Sequence, residues 1–367
     1  MSGIDKALEI FEAARGQIKK AEDRQTATWE GRGADLPLLL AAAPAPEHKA
    51  LLPERNLKEI HHDYEKMLEY GLREALRAIA GGADAVPSVR ANMGCSVFPA
   101  IMGVKPLLFE DKMPWVKEHL TRDRITKMES GQAAPDSDFA VGLEHMHYMS
   151  RRLENSPVRI FPLDLQGPYD MAHIVYGDAI FYDMYDDPAF VHHLLDLCVH
   201  AIIWGVEQYL AAIPGSDEMV AHYSAVVIPR AMGGIKISED TSTLLSPSAI
   251  DEFVVPYTSR VLEHFGGGYI HYCGKNDYLF KAMVGMEKSI GINFGNPEMH
   301  DMNMILSAIA EAGKIYYGTV NKLPGEGEAE YFARIKAASK GKLLLSYKIG
   351  DKDVADTLRN WESSVTF

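Results

Sequence analysis

The chain has 367 residues, of which 47% are hydrophobic and 24% are charged, so it is long and apolar enough to bury a large core. Its formal net charge of −14 argues against a nucleic-acid partner, because phosphate backbones select basic surfaces. The three cysteines are widely spaced, which predicts a protein without disulfides in a reducing, cytoplasmic setting. The N-terminus has no apolar secretory segment, and the absence of a long apolar run predicts no membrane span.

The first predicted element is a helix over residues 4–22, where apolar side chains recur at helical spacing. We assign residues 1–34 to an N-terminal helical extension and residues 35–367 to one following domain. Further helices are predicted over residues 57–82, 188–213 and 246–267. Short apolar runs bounded by turn residues predict strands over residues 35–43, 83–91, 158–167, 231–240, 268–274, 289–295, 314–320 and 342–350.

Eight strands that alternate with helices predict a closed (β/α)8 TIM barrel of class α/β, with the N-terminal helices covering one end. In such barrels the reacting groups lie at the carboxyl ends of the strands. The residues that follow each predicted strand are therefore the candidates for function.

The end of the fifth predicted strand, GYIHYCG, places His271 and Cys273 two residues apart. Side chains at positions i and i+2 of a strand point to the same side, so these two share a face. An imidazole and a thiolate form half of a tetrahedral zinc site. The candidates for a third ligand are Glu239 and Asp240 after the fourth strand and Cys95 after the second. Without a third ligand, His271 and Cys273 would only pack at the barrel rim.

Polar side chains at other strand ends are candidates for substrate binding. Arg90 after strand two and Lys275 after strand five could bind an anionic group of the substrate. The remaining candidates offer hydrogen bonds to a ligand, and they are Asn92, Gln166, Tyr169, Asn293 and Lys348.

The stretch GGIKISEDTSTLLSPSAIDEFVVPYTSRVLEHFGGGYIHYCGKNDYLFKAM resembles the central segment of the uroporphyrinogen decarboxylase superfamily. Its sequence LSP, then F..PY, then HxCG is similar to the methyltransferase branch, and residues 165–197 resemble the third strand and following helix of the family. The resemblance implies a TIM barrel, a homodimer and methyl transfer between corrinoid proteins and thiols or other acceptors. It also implies that His271 and Cys273 are zinc ligands.

Two departures from the family bear on function. The third zinc ligand of the methyltransferase branch is a cysteine after the last strand, whereas this chain has LLLSYKIGD there. A carboxylate such as Glu239 would then complete the site, or the metal would be absent. The decarboxylases carry two arginines after strand one and an aspartate after strand two, which this chain lacks, so porphyrinogen decarboxylation is disfavoured.

We therefore predict a zinc-dependent methyltransferase that moves a methyl group between a small molecule and a corrinoid protein or thiol. The predicted zinc ligands are His271, Cys273 and Glu239, and the predicted catalytic residues are Glu239, Lys275 and Tyr169. One alternative is a decarboxylase or lyase that clamps a small acid with Arg90 and Lys275. Another is a corrinoid-binding or small-molecule-binding module without catalysis. The predicted substrate-binding residues are Arg90, Asn92, Gln166, Asn293 and Lys348.

Overall fold

A computed structural model describes residues 2–33, 35–129, 134–349 and 353–364 of the chain. Eight of its strands line a barrel, and we number them β1 to β8. Gly350, at the end of the predicted eighth strand, lies outside the described residues. The strands are β1 Leu38–Ala41, β2 Ser88–Val89, β3 Arg159–Ile160, β4 Lys236–Ser238, β5 Gly268–Tyr272, β6 Ser289–Phe294, β7 Ile315–Gly318 and β8 Leu343–Lys348.

The barrel strands are parallel, as alternation with helices requires. Six of them form one sheet in the order β1-β8-β7-β6-β5-β4, and β2 pairs with β3. Beyond β3, the backbone of Gln166 pairs with Ser238, which joins this pair to β4. Among the described residues no strand pairing joins β1 to β2, so the barrel has one open seam there.

Each of the eight predicted strands contains one observed strand, and the predicted barrel is confirmed. Two short antiparallel hairpins were not predicted. One follows β2 and pairs Pro106–Leu107 with Trp115–Val116, and the other precedes β4 and pairs Met219–His222 with Val226–Pro229.

In the part of the chain that the structure describes, sixteen α-helices surround the barrel. The predicted first helix is two helices, α1 and α2, and the predicted helix over residues 57–82 is divided into α4 and α5. They are α1 Gly3–Ala13, α2 Arg15–Trp29, α3 Pro46–Lys49, α4 Leu57–Ile60, α5 Tyr64–Gly81, α6 Arg122–Thr126, α7 Asp138–Arg152, α8 Pro168–Tyr176, α9 Ile180–Asp186, α10 Pro188–Ala212, α11 Pro247–Ala249, α12 Val255–Phe265, α13 Asp277–Gly285, α14 Met302–Glu311, α15 Glu328–Ser339 and α16 Val354–Ser363.

Helix α10 is long and apolar enough to cross a membrane by length and composition, contrary to the expectation that the chain has no such run. It packs instead between α7, α8 and α12, and 61% of its most apolar window is buried inside the protein. A helix that is apolar nearly all round is expected in the core of a large domain.

Helix α2 and the hairpin Met219–Pro229 close the amino-terminal end of the barrel. The Trp29 indole is buried against this hairpin, and its Nε1 donates to the Val227 carbonyl oxygen at 2.7 Å. The Gln25 side chain accepts from the Val227 amide at 2.7 Å and donates to the Asp84 carbonyl at 2.6 Å. With this end closed, the described residues leave a cavity along the β1–β2 seam.

Candidate functional site

Three donor groups meet at the carboxyl ends of β4 and β5. The parallel register places Ser238 beside His271, and the alternation of side chains then directs Lys236, Ser238 and Asp240 inward. On β5 the same alternation brings His271 and Cys273 to the inner face. The predicted pairing of His271 with Cys273 is therefore what the structure shows, and Asp240 joins them.

The distances within this group are short. The His271 Nε2 lies 3.6 Å from the Cys273 Sγ and 3.7 Å from the Asp240 Oδ1. The Cys273 amide also donates to the Asp240 Oδ1 at 2.5 Å, which holds the carboxylate against β5. Among the described residues, these three form the group whose ligand atoms all lie within 4.8 Å of one another. We call this group the Asp-His-Cys cluster.

Asn293 on β6 determines which nitrogen of His271 carries the proton. The Asn293 Nδ2 donates to the Tyr317 carbonyl at 2.5 Å, so its Oδ1 must face the imidazole. That Oδ1 lies 2.5 Å from the His271 Nδ1, which is therefore the protonated nitrogen. The lone pair of Nε2 consequently points toward Cys273 and Asp240. Hydrogen bonds of this kind orient the imidazole rings of metal-binding histidines.

The donor set fits a zinc ion. Burial and the nearby Lys236 ammonium lower the pKa of His271, so the imidazole is neutral near pH 7. Burial and the Asp240 carboxylate raise the pKa of Cys273 to about 11, so a thiolate there requires a neighbouring cation. One imidazole, one sulfur and one carboxylate provide three protein ligands, the number typical of a catalytic zinc with one open position. Cys273 is exposed at the barrel mouth, so that position would be accessible to substrate.

Glu239 does not lie in the cluster, and the expectation that it is the third ligand is wrong for this structure. Its carboxylate is fully buried on the opposite face of β4 and accepts from the Thr258 and Ser242 hydroxyls at 2.6 and 2.9 Å. Adjacent residues of an extended segment face opposite ways, and here Asp240 is the one that faces inward. Burial raises the pKa of Glu239 to about 7.

Asp170, which the sequence analysis did not single out, holds the exit of β4 in place. Its buried carboxylate accepts from the backbone amides of Asp240 and Thr241 at 2.8 and 2.6 Å. Burial and the Glu239 and Asp240 carboxylates raise the pKa of Asp170 well above its usual range. Asp170 therefore positions Asp240 through its backbone.

A row of charged side chains continues from the cluster around the barrel interior. The Lys236 Nζ lies 3.4 Å from the Asp164 Oδ1, and the Arg90 Nη1 lies 4.0 Å from the same oxygen. Burial alone would raise the pKa of Asp164, but Lys236 and Arg90 outweigh it and keep that pKa below its usual value. We call these three residues the charged row. The alternation along β4 could have revealed Lys236, because it shares a face with Asp240.

Arg90 and Asn92, two of the predicted substrate-binding residues, are in contact with each other. The Arg90 Nε and Nη2 donate to the Asn92 Oδ1 at 3.1 and 2.7 Å, and the guanidinium lies over the Phe161 ring. Both residues line a cavity of about 350 Å³ at the β1–β2 seam, together with Lys348 at the end of β8. The open seam therefore connects the predicted substrate residues with the barrel interior.

Other predicted residues lie away from the cluster. Tyr169 is fully buried in α8 and its hydroxyl donates to the Met184 Sδ at 3.4 Å, so its predicted catalytic role does not agree with the structure. Gln166 is buried where its backbone pairs with β4. Lys275 is exposed on the loop after β5. Cys95 is partly buried and burial raises its pKa to about 12, but it is not part of the cluster.

The comparisons with known proteins agree with this architecture. The sequence model of the uroporphyrinogen decarboxylase (URO-D) family matches residues 21–302. A solved structure of a methyltransferase from Methanosarcina mazei has a similar fold, with a TM-score of 0.60 and 14% identity, over 94% of this chain and 97% of that one. No functionally curated protein sequence matches the chain.

Proposed function

The chain belongs to the uroporphyrinogen decarboxylase family, and on this basis we propose that it is a zinc-dependent methyltransferase. Its reaction would move a methyl group between a small molecule and a corrinoid protein or thiol. The observation that carries the proposal is the Asp-His-Cys cluster, whose donor atoms converge at the carboxyl ends of β4 and β5. The likeness in fold to a methyltransferase is in keeping with this proposal.

In the proposed site, Asp240, His271 and Cys273 hold the zinc ion. Asn293 keeps the His271 Nδ1 protonated, so that Nε2 is free to bind. When bound, zinc would supply a Lewis acid that lowers the pKa of a sulfur or oxygen atom of the substrate. The charged row lies beneath the cluster and would orient the substrate.

The corrinoid of the proposed reaction would be carried by a partner protein. The described chain consists of the barrel and the helices that cover it, and the cluster lies at the open mouth of that barrel. Such a partner would approach from the carboxyl ends of the strands, where Cys273 is exposed.

Metal analysis of the purified protein tests this proposal. We expect about one zinc ion per chain, as for a mononuclear catalytic site. The zinc should be lost in His271→Ala and Asp240→Asn, because each removes one of three ligands. Two controls should retain it: Glu239→Gln, whose carboxylate faces away, and His264→Ala, an exposed histidine on α12.

Zinc-free wild-type protein, or full zinc content in the His271→Ala variant, would contradict the proposed metal site. Loss of zinc in Glu239→Gln with retention in Asp240→Asn would show that the sequence-based choice of Glu239 was right. Methyl transfer from a methylated corrinoid protein to a thiol, measured with and without a chelator, then tests the reaction itself.

A carboxy-lyase is the second candidate, and the charged row favours it. Arg90 and Lys236 could hold a small carboxylic acid without any metal, with Lys236 in the place expected for Lys275. Release of CO2 from small acids by chelator-treated protein would support this candidate. Stoichiometric binding of a corrinoid protein by a metal-free, inactive chain would instead indicate a binding module.

A further inference from the structure

The charged row is enclosed by the barrel. The side chains of Arg90 and Lys236 are 17% and 19% exposed, and the side chain of Asp164 between them is 24% exposed. Lys236 also donates a hydrogen bond to the Ser238 hydroxyl. These ions are therefore held in fixed positions inside the protein and not in bulk water.

The row carries more positive than negative charge. Two cations share the single carboxylate of Asp164, and two of the Arg90 donors, Nε and Nη2, bond to the neutral amide of Asn92. Asp240 also faces inward but belongs to the Asp-His-Cys cluster. The seam cavity beside Arg90 is lined by one carboxylate, Glu74, and by two further cations, Arg77 and Lys348, so the excess of charge there stays positive. An enclosed charge without a counter-charge is costly, so this place in the barrel favours an anion from solution.

The two ends of the row show where such an anion would lie. At one end, Arg90 lines the cavity of about 350 Å³ at the β1–β2 seam. At the other end, Lys236 bonds to Ser238, which is paired in register with the metal-binding candidate His271. Lys236 and Asp164 both interact electrostatically with His271, so the charged row and the cluster are neighbours in the barrel interior.

We propose that Lys236 and Arg90 form an oxyanion site that holds the carboxylate of a small acidic substrate, while the substrate's sulfur or oxygen lies at the Asp-His-Cys cluster. Arg90 presents a planar guanidinium suited to a carboxylate, and Lys236 adds a point charge on the side nearer the cluster. Asp164 holds both cations in place and lowers their affinity for an added anion. This inference names the substrate class for the proposed function and rests on it for the position of the reacting atom.

Two thiols of equal length, 3-mercaptopropionate and 3-mercapto-1-propanol, differ in that only the first carries a carboxylate. Comparing their affinities therefore measures the contribution of the charge apart from that of the sulfur. Isothermal titration calorimetry of the protein as purified should show that the acid binds about 10- to 100-fold more tightly, as expected for one charge-assisted contact. Lys236→Met and Arg90→Gln should each remove most of this preference. Asp164→Asn should increase the preference, because it removes the competing carboxylate.

The control variant is Lys19→Met, which removes an exposed lysine at the opposite end of the barrel and should leave the preference unchanged. Equal affinity for the two thiols in the wild type, or an unchanged preference in both Lys236→Met and Arg90→Gln, overturns the inference. If Lys236→Met does not fold, Arg90→Gln and Asp164→Asn still test the inference, because the first should weaken the preference for the acid and the second should strengthen it.

Zinc measured on the same samples separates this inference from the proposed function. A chain that holds zinc but shows no preference for the acid overturns the oxyanion site and leaves the methyltransferase proposal standing. A zinc-free chain that still prefers the acid supports the oxyanion site and overturns the zinc-dependent reaction.

Discussion

At the scale of single residues, two buried carboxylates that lie outside the cluster decide where Asp240 points. Asp170 binds the backbone amides of Asp240 and Thr241, and Glu239 accepts from hydroxyls on the opposite side of the strand. Burying carboxylates is unfavourable unless they are neutral or well bonded. Their raised pKa values show that the folded chain favours the protonated form of this pair.

Glu239→Gln should change how stability depends on pH. Burial raises the pKa of Glu239 from 4.5 to about 7, so the folded state keeps a proton that the unfolded chain releases within that range. The wild type should therefore lose stability relative to Glu239→Gln as the pH rises through this window, by about 3 kcal/mol in total. Urea unfolding at about pH 5 and about pH 8 measures the difference.

Glu9→Gln, at an exposed position of α1, is the control, and its free energy of unfolding should equal that of the wild type at both pH values. If the difference in free energy of unfolding between the wild type and Glu239→Gln stays constant with pH, Glu239 has an ordinary pKa in the folded protein.

At the scale of elements, the approach of β6 to β5 determines the position of Cys273. The Gly295 amide donates to the Tyr272 carbonyl at 3.0 Å and brings the end of β6 against the Cys273 side chain. A methyl group at position 295 would overlap the Cys273 Sγ. Glycine at this position therefore leaves room for the Cys273 sulfur, which is one of the proposed zinc ligands.

Gly295→Ala should lose most of the bound zinc and remain folded, because the added methyl displaces one flexible side chain at an exposed edge. Metal analysis and thermal unfolding of the same sample measure the two effects. Gly285→Ala, where a methyl group at the end of α13 meets open space, should keep both zinc and stability. Retention of zinc in Gly295→Ala would show that Cys273 is not a ligand.

At the scale of the whole molecule, the two ends of the barrel differ in structure, because one is closed by packing and the other carries the polar site. The amino-terminal end is closed by α2 and the hairpin Met219–Pro229, whereas the carboxyl ends of the strands carry the cluster and the charged row. Stability and chemistry should therefore respond to different substitutions, as is general for this fold.

Trp29→Ala should destabilise the fold by about 3 to 5 kcal/mol, because it removes a large buried side chain and its hydrogen bond to Val227. The exposed Trp115 is the matched control, and Trp115→Ala should cost less than about 1 kcal/mol. Urea unfolding measures both, and zinc content should be unchanged in each. Loss of zinc in folded Trp29→Ala would show that the two ends are coupled.

The sequence by itself determined the barrel and the pairing of His271 with Cys273. Both depend on local patterns: apolar runs alternate with helices along the chain, and side chains two apart on a strand share a face. The predicted strands were longer than the observed ones, because pairing with neighbours decides where a strand ends.

The tertiary structure decided the choice between Glu239 and Asp240, the buried position of Tyr169 and the charged row. Whether Glu239 or Asp240 faces inward depends on the register of β4 with β5 and on the bonds from Asp170, a residue distant in sequence. Arg90 follows β2, Asp164 follows β3 and Lys236 lies on β4, and they meet because the barrel places these three segments side by side. The alternation along β4 could reveal that Lys236 faces inward, and Arg90 was predicted from its place after a strand. Contacts between separate strands leave no periodic trace along the chain, so no local pattern could have predicted that these residues meet.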